Sequence, residues 1–519
     1  MDFSSYLPAI FGSFIGLLIA YYIWRQRHKH DEGKLLAPEV SGSLLIIGHL
    51  HLLGAQPTLA RTLASMADKY GPVFMLRFGL FPTLIVGNHE AVKECLTTND
   101  RALATRPPTY AGKYMAYDHA GFGFAPYGPF WREMRKFTMV ELLSTHKLAK
   151  STHVRDWEVK ALMKDLYTFF NKPNQTISMD EKLEVFTLNM VLGLVAGKRY
   201  FSNAEGVDDK EAHRVMKIYK QFSYLMGVKA ISEVVPFLKW TDKWSWQVKA
   251  MKRASQEMNH LVESWVDEHI AKGIGNGSNQ HQDFIDVMLS AIDDEMVFGH
   301  TRDKVIKATT TTLISAGSDT TSVSMTWILA NLMNNKHALE RAQEELDLKI
   351  GRERWVQESD MEKLVYLKAI VKETFRLHPA APILVPHEAM EDCRVSGYHI
   401  PKGTRLIVNI WKLHRDPRVW SNPEEFQPER FLTTHEKVDI WGQFFELIPF
   451  GSGRRSCPGI TLALQVIHLT IASLLQGFDL NTPLNAPVDM SEGTSFNLPK
   501  STPLELVLTP RLPSHLYQI

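Results

Sequence analysis

Cysteine is scarce: 3 occur among 519 residues. That is too few for a disulfide scaffold and fits a reducing compartment. Each cysteine is therefore either a small buried residue or a reagent. An excess of charge is missing too. The chain carries 58 Lys plus Arg against 57 Asp plus Glu, a net charge of +1. It has no electrostatic footprint for nucleic acid. No repeat recurs at a period of about 20 to 50 residues, which excludes solenoids and propellers. Disorder is excluded by composition, with 45% hydrophobic and 22% charged residues. The length suits about three domains or one large one.

Only one long uncharged run is present, Phe3 to Trp24. A bilayer-spanning helix needs about 20 such residues. Asp2 precedes the run and the basic cluster Arg25-Gln26-Arg27-His28-Lys29-His30 follows it. A secretory signal peptide has the opposite flanks, so the run reads as an uncleaved anchor. The basic end stays cytosolic by the positive-inside rule, with everything after it. Asn174-Gln175-Thr176 and Asn276-Gly277-Ser278 spell glycosylation sequons, but a cytosolic domain does not meet that machinery.

Helical patterning prevails after the anchor. Lys304 to Asn334 is apolar-rich and proline-free, and reads as a buried helix. Leu339 to Ile350 and Met361 to Leu377 read as amphipathic helices, and Ile460 to Leu475 as a buried one. Strand-like pieces are Val73 to Phe78, Leu84 to Val86, Arg394 to Ile400 and Arg405 to Asn409. The expected class is mainly α with a small β-sheet subdomain, plus the N-terminal transmembrane helix.

The most informative segment runs Phe450-Gly451-Ser452-Gly453-Arg454-Arg455-Ser456-Cys457-Pro458-Gly459, directly before the last of those helices. Gly451, Gly453 and Gly459 permit unusual backbone angles and close approach of a flat ligand. Cys457 sits at a helix N-terminus, where free amides and the dipole favour a thiolate. Such a thiolate can be a nucleophile, a redox thiol or a metal ligand. No second cysteine is near enough for a redox pair, and a nucleophile needs a histidine base that the sequence does not display. An iron thiolate remains; in thiolate-ligated haem the sulfur favours O–O cleavage. Cys95 and Cys393 lack such surroundings and read as inert.

This segment resembles the loop F-x-x-G-x-R-x-C-x-G of the cytochrome P-450 family of haem-thiolate monooxygenases, plant membrane-bound type. Phe450, Gly453, Arg455, Cys457 and Gly459 match all the fixed positions. The resemblance implies the cytochrome P-450 fold, with haem b held by Cys457 as axial iron ligand. It divides the chain into an anchor with its basic flank (1–30), a hinge (31–55) and a catalytic domain (56–519). The family's hinge usually carries several prolines. Here Ala37-Pro38-Glu39-Val40-Ser41-Gly42 keeps one.

Supporting motifs lie in family order. Glu373-Thr374-Phe375-Arg376 matches E-x-x-R, with both charges on one helical face. With Arg430 of Pro428-Glu429-Arg430-Phe431 it implies a structural Glu373–Arg376–Arg430 network that holds the cysteine loop. Trp131-Arg132-Glu133-Met134-Arg135 matches W-x-x-x-R. Trp131 is implied at the porphyrin edge, and Arg135, Arg455 and His387 as propionate partners. Ala316-Gly317-Ser318-Asp319-Thr320-Thr321 breaks helix rules in mid-helix, with a glycine and an acid where neither is favoured. It resembles the oxygen-activation motif. Ala316 and Gly317 are implied to leave room for O2, Thr320 to hold the oxygen and Asp319 to relay protons.

The resemblance further implies electrons from NADPH through a cytochrome P-450 reductase, docked near Arg132, Lys136 and Arg454. Localisation follows as the endoplasmic reticulum membrane, single-pass. By family position the substrate pocket draws on Phe124, Ala381, Ile383, Leu384 and Phe496, all apolar, so a compact apolar substrate fits. Ile46 to Gly54 and Thr97 to Pro107 resemble a subgroup of plant specialised metabolism. An alkaloid of tropane or pyrrolidine type is the expected substrate. Terpenoid, coumarin or flavonoid hydroxylation, a reductase-independent isomerase or dehydratase, and a non-catalytic haem sensor are the alternatives.

Overall fold

A computed structural model describes residues 12–14, 16, 21, 34–170, 176–201, 209–273 and 282–518. Most of the expected anchor, and both sequon asparagines, lie outside the described residues. Among the described residues one helix, Ile460–Gly477, is long and apolar enough to cross a bilayer. Most of its side chains are buried, so it is a core helix.

The helices that matter below are α1 (Pro129–Phe137), α2 (Met179–Ala196), α3 (Asp209–Gly227), α4 (Trp246–Lys272), α5 (Arg302–Asn334), α6 (Val365–Leu377) and α7 (Ile460–Gly477). They share one large hydrophobic core. The central α5 starts at Thr301, whose side chain caps the Lys304 amide, and runs without proline to Asn334. It packs along α2, and the expected burial is present along most of its length.

A four-stranded sheet flanks this core in the order β1 (Val73–Phe78), β2 (Phe81–Val86), β7 (Arg405–Val408), β4 (His387–Glu388). β1 and β2 pair antiparallel, β2 and β7 parallel with Thr83 opposite Arg405, and β4 antiparallel to β7 with His387 opposite Leu406. β3 (Ile177–Ser178), β9 (Glu505–Pro510) and β8 (Phe478–Asn481) form a second sheet.

Two expected elements are broken in two. The piece Arg394 to Ile400 is a hairpin of β5 (Cys393–Val395) and β6 (Tyr398–Ile400). Its turn residues Ser396 and Gly397 both have positive φ, 51° and 80°, the backbone that tight hairpins require. The helix expected over Met361 to Leu377 is interrupted at Leu364, whose ψ is 76°. A 3-10 turn over Glu358–Lys363 precedes it. α6 then starts afresh, because Glu345 supplies the cap: its carboxylate accepts the Tyr366 and Leu367 amides at 2.8 and 3.0 Å. Part of the stretch read as hinge is built into the domain. Val40 and Pro38 bond Met75 of β1, and His49 is fully buried, bridging the Val40 carbonyl and the Arg77 amide.

Candidate functional site

The cysteine loop leads into α7, with Gly459 at the helix N-cap. The Cys457 amide donates to the Phe450 carbonyl at 2.9 Å, closing the loop. Gly453 has φ +68°, and a Cβ there would lie 2.6 Å from Asp100 Oδ1 and 2.8 Å from the Leu96 carbonyl. Only glycine fits. Asp100 in turn accepts the Arg454 amide at 3.2 Å and its guanidinium at 2.9 Å. Ser452 donates to the Gly442 carbonyl at 2.6 Å. A Cβ at Gly459 would stand 3.8 Å from Cys457 Sγ, so this glycine keeps one side of the sulfur open.

Burial pushes the Cys457 thiol up, while the Gly459 amide and Arg135 pull it back. Burial raises the other two thiols unopposed: Cys95 goes well up, and Cys393 to about 11, with carboxylates adding to it. Neither has a group that favours a thiolate.

Basic side chains converge beside the loop from distant segments. Arg135 of α1 donates to Ser456 Oγ at 3.2 Å. Arg455 donates to the carbonyls of Ala104, Phe122 and Ala125 at 2.8, 3.3 and 2.6 Å, and its guanidinium lies 4.4 Å over the Trp131 ring. Arg106, which the sequence did not single out, donates to the Val385 and Pro386 carbonyls at 2.5 and 3.1 Å. Burial pushes Arg106 down to about 9. Burial together with Arg106 and Arg135 pushes Arg455 down to about 8. Guanidinium does not give up its proton in proteins. Among the described residues no carboxylate pairs with any of the three, so the cluster is built for an anion from outside the chain. His387 donates from Nδ1 to the Leu103 carbonyl at 2.8 Å. Burial and the neighbouring Arg106 and Arg455 hold it well below its ordinary value, so it is neutral.

The loop is braced from behind. Glu373 Oε1 accepts from Arg376 at 2.8 Å, Arg430 at 3.1 Å and the Gln427 amide at 2.9 Å; Oε2 accepts from Arg376 Nε at 2.8 Å. All three charged residues are buried. Arg376 also donates to the His414 carbonyl at 3.0 Å. The His414 ring then accepts the Ile448 amide at 3.0 Å, two residues before Phe450. The Phe450 ring packs edge-on against Phe375 of α6 at 5.2 Å. His414 was not visible as a link in the sequence. Burial and two arginines push it to about 3, which keeps Nε2 free to accept.

On α5 the irregular run sits where expected. Ala316 is exposed, with half-buried Ser315 and Gly317 on either side. Thr320 donates to the Ala316 carbonyl at 2.7 Å, and Thr321 to Gly317 at 2.8 Å. Gly317 also has a neighbour that the motif does not name. A Cβ there would meet Val191 of α2 at 3.3 Å, so its smallness serves the approach of two helices. Of this pair, Ala316 is exposed and Gly317 half-buried. Asp319 is held by Tyr219 of α3 at 2.5 Å.

Of the apolar segments, Phe124, Ala381, Ile383 and Leu384 are half-buried. Leu384 lies 3.7 Å from where a Gly451 Cβ would be, against the cysteine loop. Ile383 pairs with Asn409 and packs against side clusters around Leu63 and Trp411. Phe496 is exposed and adjoins Gly227 at the end of α3. Arg132, Lys136 and Arg454 are exposed. Arg132 and Arg454 both meet Tyr127, over its ring at 5.8 Å and at its hydroxyl at 3.2 Å, so they share one surface.

A family profile described as Cytochrome P450 matches residues 38–506. The chain is similar to a xanthotoxin 5-hydroxylase of Arabidopsis thaliana, 45% identical over 98% of this chain and 99% of the relative. It is 44% identical to a nicotine N-demethylase of Nicotiana tomentosiformis over 98% and 99%. It is 45% identical to a strychnine-10-hydroxylase of Strychnos nux-vomica over 96% and 96%. A zebrafish cytochrome P450 solved with progesterone superposes with a TM-score of 0.73 at 25% identity, covering 87% of this chain and 99% of that one.

Proposed function

Since this chain belongs to the cytochrome P450 family and is a haem-thiolate monooxygenase of plant specialised metabolism, we propose that it oxidises a small apolar alkaloid at a site built around Cys457. The observation that carries the site is the convergence of Arg106, Arg135 and Arg455 at the cysteine loop, with no carboxylate paired to them among the described residues. Haem propionates are the anions that set calls for. Cys457 would hold the haem iron through its thiolate and Trp131 would lie beside the bound haem, with the Arg455 guanidinium over the Trp131 ring. His387 stands near Arg106 and Arg455, but its neutral ring donates Nδ1–H to the Leu103 carbonyl and leaves Nε2 an acceptor, so the arginines would hold the propionates. Bound thiolate-ligated haem supplies O–O cleavage and insertion of one oxygen atom into substrate.

The chain's own part on the oxygen side is proton handling. The Thr320 hydroxyl donates to Ala316 and keeps its lone pairs for accepting. It orders the water that delivers protons, and Asp319 passes them on. Thr320→Val keeps nearly the same volume and loses the hydroxyl. Haem and substrate binding stay, product per NADPH falls, and hydrogen peroxide makes up the difference. Ordered water limits the size of the fall. Measuring NADPH, product and peroxide together checks this; unchanged coupling removes Thr320 from the mechanism.

Phe124 and Leu384 offer apolar walls and no charge, which suits a compact apolar molecule in its neutral form. Two of the three relatives named above act on alkaloids by their names, nicotine and strychnine, and this supports the alkaloid reading; the tropane or pyrrolidine type rests on the sequence resemblance alone. The xanthotoxin relative favours a coumarin as second reading. Binding difference spectra with a panel of alkaloids and coumarins decide between them: a high-spin shift with coumarins alone overturns the alkaloid reading.

Electrons arrive from a membrane-bound NADPH–cytochrome P-450 reductase docked on the surface of Arg132, Lys136 and Arg454. The enzyme is placed on the endoplasmic reticulum by residues 1–30, with the catalytic domain cytosolic. Exposed Phe237, Trp240, Trp244 and Trp246, interspersed with Lys239 and Lys243, support a second contact with the bilayer interface. They and the exposed Leu44, Leu45 and Ile46 flank one cluster around Leu63, Phe78 and Val235. Deleting residues 1–24 therefore weakens membrane association, leaves haem binding intact and leaves residual binding to vesicles. A glycosidase-sensitive mass shift in the microsomal protein contradicts the topology.

A further inference from the structure

Asp319 does not stand alone on its helix. Tyr219 of α3 is 4% exposed and donates its hydroxyl to Asp319 Oδ1 at 2.5 Å. The Asp319 backbone amide donates back to the same phenol oxygen at 3.1 Å. One phenol thus fixes both the side chain and the main chain of residue 319, which leaves this aspartate a single rotamer. Ser223, one turn further along α3, faces the same carboxylate with a buried hydroxyl that has no bonded partner. From α2, Thr187 meets Ser318 at 3.3 Å, so α2, α3 and α5 are tied together at the irregular run.

We propose that Tyr219 is a positioning residue for proton delivery, holding the Asp319 carboxylate in the orientation from which it serves Thr320 and coupling that orientation to α3. This rests on the reading of Asp319 as the proton relay. Tyr219 does not itself transfer the proton. Burial and the charge of Asp319 hold its phenol well above the ordinary value, so it stays protonated. Its effect is on the partner: burial raises the Asp319 carboxyl, and the bond from Tyr219, with the nearby Ser223 hydroxyl, opposes that rise. The charged neighbours are Lys220 of α3 and Glu184 of α2, which pair with each other at 2.5 Å. In the productive reaction O2, NADPH, a proton and substrate give the oxygenated product, water and NADP+. When protons arrive badly, the same O2, NADPH and a proton give NADP+ and hydrogen peroxide instead.

Tyr219→Phe keeps the ring and removes only the hydroxyl. Haem content and the Soret spectrum stay as in the parent, while peroxide per NADPH rises several-fold. A second readout needs no turnover. The Asp319 carboxyl is raised in the folded state, so stability declines as pH rises from the unfolded carboxyl value through the folded one. Loss of the Tyr219 donor raises the folded value further. The Tm difference between parent and Tyr219→Phe therefore widens as pH rises from the parent's folded value to the variant's, and is small below the parent's folded value. In an Asp319→Asn background the same substitution gives a difference that does not change with pH. A residue that only packs α3 on α5 lowers Tm equally at every pH. Uncoupling together with a pH-dependent Tm difference supports the proposal; either one without the other overturns it. If Asp319→Asn leaves product per NADPH unchanged, the relay reading itself fails, whatever Tyr219→Phe does.

Discussion

Cys457→Ser abolishes the red-shifted Soret band of the reduced carbon monoxide complex. The loop itself survives the substitution. Its closure is a backbone bond, Cys457 amide to Phe450 carbonyl, and its turn depends on Gly453 against Asp100 and Leu96. Serine is smaller and introduces no clash beside the open Gly459 side. What changes is the donor atom. A thiol with the Gly459 amide and Arg135 beside it would hold the iron as a thiolate; a serine hydroxyl, far less acidic, would not supply the same electron density. Arg106, Arg135 and Arg455 remain in place, so haem is still taken up and the spectrum can be read. The carbon monoxide difference spectrum of parent and variant is the measurement. Retention of the band in the variant removes Cys457 as the axial ligand.

Arg376→Ala and Glu373→Ala each reduce haem-loaded protein to a small fraction of the parent yield. Both side chains are fully buried and bonded to each other through two contacts of 2.8 Å. Removing one partner of a buried pair strands the other at a cost of about 3–5 kcal/mol. Whole-domain stability is only about 5–15 kcal/mol, so the loss is a large share of it. Arg376 loses more than its ion pair, because the carbonyls of His414, Pro423 and Glu425 also lose a donor. The His414 carbonyl matters most, since the same residue's ring holds the Ile448 amide just before the cysteine loop. Arg376→Lys does not rescue, because a point charge cannot serve that fan of acceptors. Haem per polypeptide after identical expression checks this. Full incorporation in either alanine variant shows that the network is dispensable.

The parts of the site that the sequence shows are those written within a few residues. The cysteine loop, Glu373 with Arg376, and the run on α5 each lie inside ten residues, and their spacing carries the helix or turn that presents them. Partners supplied from elsewhere in the chain were invisible. Tyr219 is 100 residues from Asp319 and reads as one more amphipathic-helix tyrosine. Arg106 lies in a stretch with Pro107 and Pro108 that signals an irregular turn, yet only the fold brings Val385 to it. Gly317 was placed by motif rather than by neighbour, and its Val191 contact had no trace in the sequence. The split at Ser396-Gly397 was missed although its signal was there, since a Ser-Gly pair between β-rich runs marks a hairpin. The break at Leu364 was not legible, because its cap comes from Glu345 on another helix.

The bond from Arg455 to the Ala104 carbonyl spans 351 residues of chain. At about 5–20 residues per second, the ribosome finishes the second partner roughly 20 to 70 seconds after the first. During that interval Ala104 and Arg106 wait without their carboxyl-terminal neighbours. The cradle is thus among the last features to assemble, and cofactor capture is a post-translational event rather than a co-translational one. Contacts of such sequence separation also close slowly, since loop entropy is spent before they form.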